Sequence, residues 1–166
     1  MATITLKGKD IHTSGDLPKT GTPAPDFTLT KTDLTDVSLK DYKGSRIVLN
    51  IFPSIDTSVC SNSVRKFNAE ASSLENTVIL CISRDLPYAH KRFCGAEGLD
   101  KVISLSELRD DSFSRAYGVR ITDGPMAGLL ARAVVVIDEN GNIIYTQQVP
   151  DIGMEPDYES ALKMIR

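Results

Sequence analysis

The chain has 166 residues, 19 basic and 22 acidic side chains and a net charge of −3. That balance argues against a polyanion partner, so no nucleic-acid binding is expected. No apolar run approaches the roughly 20 residues that cross a bilayer, so no membrane association is expected either. No repeat, heptad series or low-complexity tract divides the chain, and its length suits one domain over residues 1–166 that buries about 70% of its unfolded surface.

From the N-terminus, "TITLKGKDIHT" alternates about Gly8-Lys9 and predicts a β-hairpin. A Pro/Gly-rich connection, "SGDLPKTGTPAPDF", follows, and then a second short hairpin in "FTLTKTDLTDVSL". "SRIVLNIF" is a continuous apolar run, the mark of a strand buried on both faces. After Pro53, the spacing Cys60, Val64, Phe67, Ala71, Leu74 predicts a helix with one apolar stripe. "NTVILCIS" is the next buried strand. A short helix, "PYAHKRFC", follows, with Asp85 available as its cap and Gly95 as its end. "KVISL" gives a third strand, "SFSRAYGV" a brief helix, "ARAVVVIDENGNIIYTQQV" a hairpin turning at Asn140-Gly141, and "EPDYESALKMI" a terminal helix. Three strands alternating with helices, then an antiparallel pair, make an α/β chain with a mixed central sheet flanked by helices. This is the order of a thioredoxin-like fold with an added N-terminal β-hairpin.

The first segment, "MATITLKGKDIHTSGDLPKTG", lacks the apolar core of a secretory signal, so a cytoplasmic location is expected. There thiols stay reduced, and cysteines are more often catalytic or metal-binding than structural. Three cysteines permit at most one intramolecular disulfide. Cys60 falls in the first turn of its helix, where free N–H groups and the positive end of the helix dipole favour a thiolate over a thiol. Thr57 is placed to cap that helix and to reach a ligand beside the sulfur. Pro53 fixes the loop and removes a donor. The same position opens the apolar stripe, so a buried core cysteine fits the pattern equally well. Cys81 lies inside "VILCIS" and reads as core. Cys94 ends its helix, at the negative pole of the dipole. There it suits a second sulfur better than an attacking one, unless it has no role at all. Joining Cys94 to another cysteine on a separate element requires local unfolding, which the nearby Gly95 and Gly98 would ease.

Arg132 interrupts the apolar stretch "GPMAGLLARAVVVID". A guanidinium at the start of a buried strand needs a partner, for which a thiolate would serve, or else it reaches past the strand end to water. His90 and Cys94 are four apart on one helix face, but no second pair completes a metal site. No phosphate loop, haem motif or G-x-S-x-G elbow is present, so no cofactor or metal is expected.

"PSIDTSVC" fits the P-x-x-x-T-x-x-C motif of the peroxiredoxins, and "GTPAPDFTLT" and "AYGV" fit the same superfamily. "SVRKFNAEA" and "RFCGAEGL" resemble one branch of it, the bacterial thiol peroxidases, atypical two-cysteine peroxiredoxins. The resemblance runs from the N-terminal hairpin to the last helix. It implies that Cys60 is the peroxidatic cysteine and Cys94 the resolving one. The two would form an intramolecular disulfide that thioredoxin reduces. It further implies that Thr57 and Arg132 hold the hydroperoxide and stabilise the thiolate, that Pro53 shields the site, that Cys81 is dispensable, and that the protein is a homodimer. Two other readings compete. "CSNS" has the C-x-x-S look of a monothiol thiol–disulfide oxidoreductase, and a redox-sensing domain would form the disulfide without turnover. "PMAGLLA" hints at a greasy approach to the site.

Overall fold

A computed structural model describes every residue from Met1 to Arg166. A hairpin of β1 (Thr3–Leu6) and β2 (Lys9–His12) stands apart from the main sheet. Its turn is Lys7-Gly8, one residue earlier than the alternation predicts. Both residues have positive φ (51° and 80°), the primed turn whose twist suits a two-residue hairpin. The main sheet has seven strands in the order β4-β3-β7-β6-β5-β8-β9. These are β3 (Thr28–Lys31), β4 (Asp36–Ser38), β5 (Arg46–Ile51), β6 (Thr77–Ser83), β7 (Ile103–Ser106), β8 (Ala133–Ile137) and β9 (Ile143–Gln148). The central strands β5, β6 and β7 run parallel, and every other pairing is antiparallel.

Side chains alternate across each strand, so one run of apolar residues feeds two cores. Ile47, Leu49 and Ile51 of β5 join Phe27, Leu80, Phe113 and Tyr117 on one face. Val48 points the other way, into a cluster with Phe52, Cys60, Val64, Phe67 and Leu162. The first face is covered by α3 (Ser112–Tyr117), the second by α1 (Ser58–Ala71), α2 (Pro87–Glu97) and α4 (Tyr158–Lys163). Burial on both faces explains why β5 and β6 carry no alternation in the sequence. The parallel pairing sends the C-terminal ends of β5 and β6 to the same edge, where α1 and α2 begin.

The second helix differs from its expected form at both ends. It runs three residues past Cys94 and stops at Gly98, which takes the left-handed conformation (φ 67°) and closes the last turn with its N–H. Its N-cap is Leu86 rather than Asp85, because the Asp85 carboxylate is drawn to the loop before α1.

The hairpin β1–β2 has its own small core. Ile4 and Ile11 meet Ile121, Ala131 and Ile152, with Met126 and Leu129 packed alongside. The apolar stretch read as an approach to the site therefore turns Met126 and Leu129 to this hairpin, while Leu130 joins the main core.

Candidate active site

Cys60 is the third residue of α1 and is fully buried among Phe52, Val64 and neighbouring apolar side chains. Its helix starts there because Pro53, itself buried, and the turn at 54–57 end the β5 extension. Thr57 occupies the N-cap, and its carbonyl accepts from Ser61 N at 2.9 Å. Its hydroxyl makes no cap bond. It donates instead to the Ser54 carbonyl at 2.9 Å, closing the preceding turn, and the side chain is exposed. The expected capping role is thus filled by the Thr57 backbone alone.

Arg132 precedes β8 and is 2% exposed. One terminal nitrogen, Nη1, lies 3.3 Å from Cys60 Sγ. Nε and Nη2 both donate to the Ile152 carbonyl, at 3.1 and 2.8 Å. No carboxylate pairs with it. A buried cation needs compensation, and here a sulfur and one carbonyl are what the protein offers. Ile152 is positioned in turn by the N-terminal hairpin, since Ile152 N donates to Thr5 O and Thr5 N to Pro150 O. Nothing in the sequence marks Ile152, because its contribution is a main-chain oxygen. Beside the pair, Tyr158 donates to Glu155 at 3.1 Å. Burial first, and the Glu155 charge next, push its phenol well above its ordinary value.

The three thiols are free and differ in setting. Burial pushes the Cys81 thiol up to about 12, opposed by the Asn50 amide 3.7 Å away. Cys94 is half-buried on α2, 3.4 Å from Ser104 Oγ, and burial raises it too. It lines a cleft of about 470 Å³ together with Lys31, Lys91 and Asp100. That cleft does not reach Cys60. The two sulfurs expected to pair therefore each face a partner of their own, with α2 folded.

Ser63, the last member of "CSNS", donates to the Cys60 carbonyl at 2.7 Å and accepts from Asn50 at 3.1 Å. It is tied to the helix backbone and the sheet, not to Cys60 Sγ. No group of three or more His, Cys, Asp or Glu side chains could hold a metal. His90 turns its Nε2 to Ser83 Oγ at 3.0 Å rather than toward a shared site with Cys94. His12 is bound to Asp123 at 2.6 Å.

Residues 19–162 fit the Redoxin family. Thiol peroxidases of Mycobacterium tuberculosis and Mycobacterium bovis are 57% identical over 162 residues, covering 98% of this chain and 97% of theirs. Among solved structures, a peroxiredoxin-like protein from Aquifex aeolicus superposes with a TM-score of 0.93 at 35% identity, covering 99% of this chain and 95% of that one. A thiol peroxidase from Chromobacterium violaceum shares the fold with a TM-score of 0.87 at 22% identity, covering 98% and 94%. The chain belongs to the Redoxin family, and within it is a peroxidase of the peroxiredoxin type. No helix is long and apolar enough to cross a membrane.

Proposed function

We propose that the chain, acting as one domain, reduces hydrogen peroxide and organic hydroperoxides through Cys60 and Cys94, with thioredoxin as the reductant. The observation that carries this is the buried Arg132 guanidinium 3.3 Å from Cys60 Sγ with no carboxylate to share it. A thiolate satisfies that cation, and a thiolate is the form that attacks an O–O bond. In the first step the Cys60 sulfur bonds to one peroxide oxygen and the O–O bond breaks. The leaving oxygen takes a proton and departs as water or an alcohol, leaving a sulfenic acid. Arg132 stands beside the path of that developing charge, the Thr57 hydroxyl meets the peroxide by turning away from the Ser54 carbonyl, and Pro53 keeps water from the sulfur.

In the second step Cys94 attacks the oxidised sulfur. The S–S bond forms, the S–O bond breaks, and the oxygen leaves as water. Thioredoxin then takes over the disulfide by thiol exchange. Since α2 is folded with Cys94 on Ser104, this step requires the helix to open. A homodimer working in a reducing, cytoplasmic setting completes the reading.

Peroxide consumption with thioredoxin, thioredoxin reductase and NADPH tests it. Wild type should turn over and Cys60→Ser should be inert. Cys94→Ser should complete one peroxide reduction per chain and then stop. A Cys60→Ser protein with full activity would sink the assignment.

A further inference from the structure

The peroxidase reading leaves unused a buried junction between the two reactive segments. His90 lies one turn before Cys94 on α2 and has no exposed surface. Its Nε2 is 3.0 Å from Ser83 Oγ, while Ser83 Oγ gives its single proton to Asp85 Oδ2. Toward the imidazole the hydroxyl is therefore an acceptor, which fixes His90 as the Nε2–H tautomer. Nδ1 has no partner. For a neutral ring that nitrogen is a lone pair left unused. For an imidazolium it would be a buried N–H without an acceptor, which is costly.

The same Asp85 carboxylate accepts from Ser54 Oγ at 2.9 Å and from Ile55 N at 2.8 Å, in the loop that leads to Cys60. Ser106 Oγ holds the Asp85 carbonyl from β7. One cluster thus fastens the loop before Cys60 to the helix that carries Cys94.

We propose that the Ser83–Asp85–His90 junction is a proton-sensitive latch: folded α2 requires a neutral His90, so protonation of His90 in water favours the opened helix and frees the Cys60 loop with it. Its use in the catalytic cycle rests on the reading of Cys94 as the resolving cysteine; the latch itself does not.

The charges around the ring act in opposite directions. Burial, with Phe52 packed edge-on at 6.2 Å, is the largest influence and holds His90 below its ordinary value. Asp85 and Asp56 oppose it, and Asp56 is itself paired with Arg92 of α2 at 2.9 Å. On α2 the neighbouring Lys91 and Arg92 are exposed, and beyond Ser83 the buried Glu107 faces Arg84 at 3.6 Å. A histidine whose folded value lies below its unfolded one stabilises the fold above about pH 6.5, and that contribution is lost as the pH falls further.

Amide exchange of α2 in the reduced protein reads the latch, comparing wild type with His90→Gln. Glutamine keeps a donor for Ser83 Oγ but does not titrate. From pH 7.5 to 5.5, wild-type protection should fall by up to about tenfold relative to His90→Gln, the change for a group that titrates near 6.5 only when exposed. Ser83→Ala should loosen α2 at both pH values. A ratio that stays flat with pH overturns the latch. So does a His90 ring that titrates in the reduced protein as it does in the unfolded chain, observed by NMR in a His12→Gln background.

A second arm reads its use: the rate of Cys60–Cys94 disulfide formation after a peroxide pulse, again as wild type over His90→Gln. That ratio should rise over the same interval. A disulfide that forms with a pH-independent ratio overturns the role in resolution. If exchange behaves as expected but no Cys60–Cys94 disulfide forms, the latch stands and the assignment of Cys94 falls.

Discussion

Arg132 has three bonds in the protein interior, one to a sulfur and two to a single carbonyl. Arg132→Met should slow the reaction of Cys60 with peroxide by about 10²-fold or more, the usual effect of removing one donor from a developing anion. Arg132→Lys should recover only part, because a lysine ammonium cannot reproduce the planar fork that reaches both Ile152 O and Cys60 Sγ. Stopped-flow measurement of the second-order rate constant checks both. Cys81 offers the contrasting case. Buried and pushed up to about 12, it should stay unlabelled by iodoacetamide at pH 8 in the folded protein and become reactive only on unfolding; labelling and mass spectrometry decide it. These residues differ in how plainly the sequence announces them. Arg132 breaks its local pattern, a charge inside an apolar run, whereas Cys60 stands at a helix start but also fits the apolar stripe it opens. Ile152 breaks none, because its carbonyl is common to every residue type. His90 and Ser83 become partners only when β6 and α2 are folded against each other.

The helix α2 is held by its end as well as by its latch. Gly98 closes it at φ 67° with open space where a Cβ would stand, so Gly98→Ala carries conformational cost and no clash. A cost of about 1 kcal/mol should raise amide exchange in α2 roughly fivefold and leave β5 and β6 unchanged. Hydrogen exchange followed by mass spectrometry resolves the two regions. The existence and the start of α2 were legible from Pro87, but its cap and its last turn were not. Asp85 has the composition of a cap, yet a carboxylate goes where the most donors are, and Ser54 and Ile55 lie across a chain crossing that local reading does not see. The strands show the same limit. Continuous apolar runs identify β5, β6 and β8 as buried, while the placing of β3 beside β7 and β8 beside β5 depends on pairing between distant segments.

At the scale of the molecule, the N-terminal hairpin supports the Cys60–Arg132 pair from outside the main sheet. Ile4 is 1% exposed in the small cluster that includes Ile152, and β1 bonds to the 150–152 segment on both sides of Thr5. Ile4→Ala should cost about 2–5 kcal/mol, and because it loosens the carbonyl that orients Arg132, it should also slow the peroxide reaction. Thermal melting and the stopped-flow assay together separate this from a mutation that only lowers Tm.

The absence of a carboxylate beside Arg132 also bears on what happens once peroxide has reacted. On the proposed cycle the buried pair is neutral before the reaction, one cation against one sulfur anion. Neither a sulfenic acid nor a disulfide carries that negative charge, so oxidation leaves the interior with one uncompensated positive charge. The cost of holding it falls on the closed arrangement and is relieved when water reaches the guanidinium. The chemical step thus supplies its own thrust toward the open state, and reduction by thiols, which restores the anion, draws the site shut again.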